Sequence, residues 1–339
     1  MPENRKEQNK LNRALTAAGG FNIKELLLRS PEIGTLIAIV VLYIGIGIVN
    51  VRFWEPMTLI TIARWLAGLG TLAIGVSMVL IIGGIDLSVG SLASLSSVIF
   101  AHLIVNVGIN PVIAFIITLL IGMAVGLYHG FIVIKFSPPL PTIVPAFIAT
   151  LGSLFLLRGI AIGYWKGYPV KIYDTSKISF LVSEYGGITI LAVVLLTTLF
   201  IQRYTAIGRY MYAIGGNLEA ARVAGVPIHR TRVFAFVYSS VLATLAGMIY
   251  TGLVASGYAD IAAGQELLAI ASNALAGVSL AGGEGNAINA SLGAFLVAIV
   301  RTGIIFTGIS AYWQDVAAAI LLVLAVILDL TRRVTTGRV

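Results

Sequence analysis

Ten long apolar runs, broken by short polar or glycine-rich stretches, divide the chain near 33–50, 58–82, 88–105, 111–135, 145–164, 188–204, 231–252, 266–281, 287–306 and 312–330. Most are close to the ~20 apolar residues a helix needs to cross ~30 Å of hydrocarbon. The eighth is the weakest, short and interrupted by Ser272 and Asn273, so it reads as a poor or re-entrant span. The pattern predicts an all-α polytopic membrane protein of about ten transmembrane helices. Residues 1–32 form a polar amino-terminal segment, 33–330 the membrane domain and 331–339 a tail. The amino-terminal segment has no short apolar core followed by a small-residue cleavage site, so it reads as retained rather than as a signal peptide.

Composition agrees. The chain is 58% hydrophobic and 11% charged, with mean hydropathy +0.99, against roughly 25% charged residues in globular domains. There is no cysteine, and the three histidines (His102, His129, His229) are scattered, which argues against a redox or metal centre. The net charge of +8 would suit nucleic acid, but its distribution points elsewhere. Of the 22 lysines and arginines, fifteen fall on one side of the ten-span topology, four on the other and three within spans. Basic excess marks the cytoplasmic side, so both termini are predicted to be cytoplasmic. Two connections are long: Lys166 to Gly187, facing outward with Pro169, Tyr168, Tyr173 and Tyr185, and 205–230, facing inward.

Two breaks carry unusual chemistry. The segment Gly83-Gly84-Ile85-Asp86-Leu87-Ser88-Val89-Gly90 puts a carboxylate next to hydrocarbon, at a cost of about 2.5–3.5 kcal/mol were it at a helix centre. Its paired glycines let the backbone unwind, which non-helical chain near a membrane does only inside protein or beside a wet cavity. Gly282-Gly283-Glu284-Gly285 forms a similar bend, a faint sign of duplication. In the inward connection, Gly215 to Pro227 spells a short helix. Asn217 suits its N-cap and Glu219 its first turn, Gly225 can end it, and Pro227 stops its continuation. Two turns are too few to be stable alone, so this helix docks either on its own bundle or on another protein.

These residues carry a resemblance. Gly83 to Ser91 resembles the GIDLSVGS signature of sugar-type ABC importer permeases, and GRYMYAIGGNLEAARVAGV (208–226) resembles their cytoplasmic coupling segment. FIATLGSLFLLRG (147–159) and SLAGGEGN (279–286) extend the likeness, which runs from about Gly70 to Leu330. The resemblance implies that Gly215, Gly216, Asn217, Glu219, Ala220, Arg222 and Gly225 seat in a separate ABC ATPase subunit. It implies an inner-membrane permease subunit, fed by an extracytoplasmic solute-binding protein and paired with a second permease chain, identical or paralogous. ATP and magnesium belong to the partner ATPase; this chain needs no cofactor and has no catalytic or metal site. No lysine is followed by serine or threonine, so no GxxxxGK[ST] phosphate loop is present. One departure bears on the solute: Leu268 stands where the family pattern carries an acidic residue, and Asn273 intrudes into an apolar run.

The polar residues within spans have more than one reading. Asp86, with Gly83, Gly84, Ser88 and Gly90, can form a structural bend and cap, a gate or a solute contact. Asn273 and Ser153 are pathway candidates. Serines 91, 94, 96 and 97 and Thr150 can line a path or bond between helices. Arg64, Arg158 and Arg301 suit snorkelling to the interface or an outward basic rim, with Arg301 placed to pair with Asp315. His102 and His129 lie near span ends and read as packed or interfacial. Tyr164, Trp165, Tyr168, Tyr312 and Trp313 read as an aromatic belt. Rival functions are a nucleoside or branched-chain amino acid permease, a secondary transporter coupled to ions through Asp86 or Glu284, and a gated pore.

Overall fold

A computed structural model describes residues 31–136 and 143–310, with scattered positions from 313 to 327. Among the described residues there are twelve α-helices: α1 (Pro31–Val49), α2 (Pro56–Ile81), α3 (Val89–Val105), α4 (Pro111–Phe136), α5 (Ile143–Trp165), α6 (Ser179–Val182), α7 (Gly186–Tyr204), α8 (Ala206–Gly216), α9 (Leu218–Val223), α10 (Ile228–Val254), α11 (Gln265–Leu275) and α12 (Ala287–Phe306). Three open on proline, whose fixed φ and missing N–H suit a first turn.

Seven of these (α1, α2, α4, α5, α7, α10 and α12) are long and apolar enough to cross a membrane, and α3 is a shorter apolar helix of 17 residues. This is the expected all-α polytopic architecture. The eighth run gives only the 11-residue α11, about 16 Å long at 1.5 Å per residue and too short to span. The tenth run falls largely outside the described residues, as does Asp315, the expected partner of Arg301.

The centre of the bundle is α10, packed against α2, α3 and α4. Its close approach to α4 is set by Gly122, Gly126 and Gly130, one per turn on a single face. A Cβ at Gly126 would lie 2.5 Å from the Val237 Cα, and one at Gly130 2.9 Å from the Val233 Cα. In lipid, where apolar tails remove the hydrophobic drive, contact of this kind and interhelical hydrogen bonds hold helices together. The serines of α3 supply such bonds: Ser97 to Thr251 at 2.7 Å and Ser96 to Thr244 at 3.3 Å. Replacing Gly126 with leucine is expected to lower the melting temperature of the solubilised protein, since overpacking costs about 1–3 kcal/mol. Gly45→Leu on α1, where nothing among the described residues lies within 4 Å, is the matched control and should melt like wild type. The periphery displays apolar side chains such as Val41, Ile116, Leu120, Phe155 and Leu196, as a lipid-facing surface requires.

The 166–187 connection is more ordered than a polar loop. Its β1 (Val170–Lys171) pairs antiparallel with β2 (Ser256–Gly257) just beyond α10. Two-residue strands have no periodicity to read, so this pairing leaves no trace in the sequence. His102 Nδ1 accepts a bond from Trp165 Nε1 at 3.3 Å, which makes both residues part of the packing at this end.

Candidate coupling site

Helix α2 ends in a Schellman motif. The Gly84 N–H donates to the Val79 carbonyl (2.9 Å) and the Gly83 N–H to that of Leu80 (2.8 Å), with Gly83 left-handed at φ +74°. The chain then stays non-helical to Ser88. Asp86 lies in this stretch and is 0% exposed. Its Oδ1 accepts from the Ser88 N–H (3.0 Å) and hydroxyl (2.6 Å), and its Oδ2 from the Ser239 hydroxyl of α10 (3.0 Å). On the other side, Thr150 Oγ1 of α5 accepts from the Leu87 N–H at 3.2 Å. Asp86 therefore folds the bend and anchors it to α10. Gly90 packs where a Cβ would meet Glu266 Oε2.

The second bend follows α11. Gly277, Gly282, Gly283 and Gly285 all have positive φ, from 77° to 101°. Asn286 then caps α12, its Oδ1 accepting from the N–H groups of Ile288 (2.8 Å) and Asn289 (3.2 Å). Asn273, a pathway candidate, is buried, and its Nδ2 donates to the carbonyls of Ala73 on α2 (2.9 Å) and Ala269 (2.8 Å). Ser153 is also buried, and its hydroxyl finds no hydrogen-bond partner among the described residues.

Helix α9 carries the caps its sequence suggests. Asn217 Oδ1 accepts from the Ala220 N–H at 2.9 Å. Gly225, at φ +74°, closes a second Schellman motif through bonds from Val226 N–H to the Ala221 carbonyl (3.0 Å) and from its own N–H to that of Arg222 (3.1 Å). The helix is six residues long. Ala221 packs inward, while Glu219 and Arg222 pair at 3.0 Å on the outside and Val223 is 89% exposed. The preceding helix α8 is a separate element that the apolar pattern of the loop does not announce. Its signals are the Thr205 cap, which accepts from the Gly208 N–H at 3.2 Å, and the buried Met211 and Ile214, spaced one turn apart.

The three glycine motifs meet. A Cβ at Gly215, near the end of α8, would lie 1.8 Å from the Ile81 carbonyl oxygen and 2.4 Å from the Gly283 nitrogen. A Cβ at Gly282 would lie 2.9 Å from the Gly83 nitrogen, and one at Gly283 2.9 Å from the Gly216 Cα. The Gly283 N–H donates to the Ile81 carbonyl at 2.9 Å, joining the two bends directly. Two side chains that sequence reasoning missed tie the same parts. Tyr212 of α8 donates its hydroxyl to the Gly285 carbonyl at 2.8 Å. Burial pushes this phenol above its ordinary pKa, keeping it a donor. Gln202, near the end of α7, accepts from the Ala287 N–H at 3.0 Å and donates toward Met78 Sδ of α2 at 3.4 Å.

Elsewhere, the expected snorkelling arginines are engaged. Arg158 Nη2 meets Asp260 Oδ1 at 2.7 Å, Arg64 donates to the Leu253 carbonyl at 3.3 Å, and Arg301 lies 5.0 Å from the Trp65 ring centroid and 3.4 Å from Gln314 Oε1. Among the described residues no three His, Asp or Glu side chains converge as a metal site would need.

The family profile described as "Branched-chain amino acid transport system / permease component" matches residues 58–326. The ribose import permease protein RbsC of Escherichia coli (strain K12) is 33% identical over 304 residues, 87% of this chain and 92% of that protein. Its namesake in Bacillus subtilis (strain 168) is 33% identical over 306 residues, covering 88% and 92%. The autoinducer 2 import system permease protein LsrC of Escherichia coli O9:H4 (strain HS) is 33% identical over 304 residues, covering 88% and 86%. No solved structure matches the chain.

Proposed function

The chain belongs to the family of branched-chain amino acid transport system permease components, and from that premise we propose that it is the membrane-spanning subunit of an ABC importer that moves a sugar-like solute inward. The family description spans a wider group than one solute. The relatives named for ribose and autoinducer 2, together with the Gly83–Ser91 signature, favour a sugar over a branched-chain amino acid or a nucleoside. Both termini and the 205–230 loop are cytoplasmic, by the excess of basic residues there. A solute-binding protein delivers cargo to the opposite face, and a second permease chain completes the path. ATP and magnesium act in separate ATPase subunits; this chain binds and couples but catalyses nothing.

The observation that carries the coupling is the backbone contact of Gly215 with Ile81 and Gly283. Force on α9 passes through α8 to both bends at once. Backbone-to-backbone contacts without side chains cannot be relaxed by a change of rotamer, so displacement is transmitted rather than absorbed. The bends join α2 to α3, which pack on α10, and α11 to α12, which pack on α2, so a push at the loop reaches both pairs of helices. The ion-coupled alternative is disfavoured because the bonds from Ser88 and Ser239 already engage both oxygens of the buried Asp86.

The docking step is tested by co-expressing the permease with ABC ATPase subunits and measuring how much ATPase it retains on purification. Val223→Glu puts a charge in the exposed apolar position of α9. Gly225→Pro removes an N–H and demands a φ near −65° where the native value is +74°. Each is expected to cut ATPase retention at least about tenfold, the loss typical of a central interface residue. Retention equal to wild type in both variants would overturn the docking role of α9.

A further inference from the structure

After β2 the chain turns back into the bundle instead of leaving it. Gly257 lies against the Ser97 carbonyl, the Ala262 N–H donates to the Ser94 hydroxyl at 3.1 Å, and Glu266 packs against Gly90. The segment from 257 to 266 thus descends beside α3 by seven of its residues, about 10 Å at helical rise. It carries two carboxylates, Asp260 and Glu266, into the depth of the membrane. Asp260 pairs with Arg158, which sits seven residues before the end of α5, again about 10 Å from that helix's end.

Both members of this pair are open: Arg158 is 43% and Asp260 51% exposed. A half-exposed ion pair at this depth favours water over hydrocarbon, where a charge at a span's centre costs about 2.5–3.5 kcal/mol. On α5, nothing among the described residues lies within 4 Å of a Cβ at Gly152, Gly159 or Gly163, with the exposed Ile148 and Leu156 on the same face. Behind the pair, Glu266 Oε2 has no hydrogen-bond partner among the described residues, and Arg158 is near enough to act on it electrostatically.

We infer that Arg158, Asp260 and Glu266 line the aqueous path of the transported solute, where the re-entrant segment meets α5. A polyhydroxylated solute is the class such a surface suits. Its vicinal hydroxyls can donate to the carboxylates and accept from the guanidinium, exchanging hydration for hydrogen bonds as it passes. The solute class rests on the sugar-importer reading; the aqueous lining does not.

The cysteine-free chain gives a clean test. Single variants Asp260→Cys, Gly159→Cys and, as a lipid-facing control, Leu120→Cys are treated with a charged methanethiosulfonate reagent in right-side-out and inverted membrane vesicles. The reagent needs a thiolate, which forms in water and not in hydrocarbon. Asp260→Cys and Gly159→Cys are expected to react at least about tenfold faster than Leu120→Cys from at least one side. Reaction no faster than the control from both sides overturns the lining. A second readout is uptake of radiolabelled ribose by the permease with its ATPase and binding protein. Arg158→Leu should lower the rate at least about tenfold, as loss of a charged hydrogen-bonding partner does, while ATPase retention is unchanged. Unimpaired uptake removes Arg158 from the path. A wild-type importer that ignores ribose refutes that solute alone, and the aqueous lining then stands or falls on the labelling rates.

Discussion

Replacing Gly215 with alanine is expected to uncouple transport from ATPase docking. The new methyl would occupy a point 1.8 Å from the Ile81 carbonyl oxygen and 2.4 Å from the Gly283 nitrogen, so α8 must move away from both bends. Overpacking of this kind costs about 1–3 kcal/mol, and here the atoms that would have to yield are backbone. The helix that docks, α9, lies beyond the substitution and keeps its own caps at Asn217 and Gly225. Solute uptake should therefore fall at least about tenfold, the equivalent of about 1.4 kcal/mol, while ATPase retention stays near wild type. Gly216→Ala is the control, because nothing lies within 4 Å of its added Cβ, and it should transport normally. Uptake by Gly215→Ala at the wild-type rate would remove the junction from the coupling route. Loss of ATPase retention together with uptake would show instead that α8 and α9 move as one docking unit.

Truncating Asp86 should produce the largest loss of stability. The change to alanine strands the Ser88 N–H and the Ser239 hydroxyl inside the bundle, at 0% exposure of the residue they bond. Orphaned buried donors cost about 1–3 kcal/mol each, so the expected loss is about 3 kcal/mol or more. Thermal melting of the detergent-solubilised protein measures it. Asp86→Asn keeps the shape and one acceptor oxygen for Ser88, and should lose about half as much. If Asp86→Ala melts with wild type while uptake collapses, the residue serves the solute rather than the bend.

Much of this architecture is legible from the chain. Apolar runs of membrane length mark the long helices because a span must satisfy its backbone internally, and only a helix does so within one segment. The ends of α9 are legible because Asn217 and Gly225 act on their own neighbours. Helix α11 shows itself as weak, and its 11 residues prove too short to span. Helix α8 is hidden in a loop, since its 11 residues are too few to stand out beside runs of membrane length. The arginines mislead for a related reason: their depth is readable and suggests snorkelling, but the partner of Arg158 lies 102 residues away in sequence.

Reading the residues in order is enough to establish the class of protein, most of its spans, its two bends and the short capped helix of the inward loop. Each of these depends on interactions within a few residues or between one segment and lipid. Folding alone brings the glycines at 83, 215 and 282–283 into one junction, sets Ser239 against Asp86, and joins Asp260 to Arg158. A glycine pair announces that the backbone can bend or be approached. It carries no side chain that names what approaches, and that information exists only once distant segments are packed together.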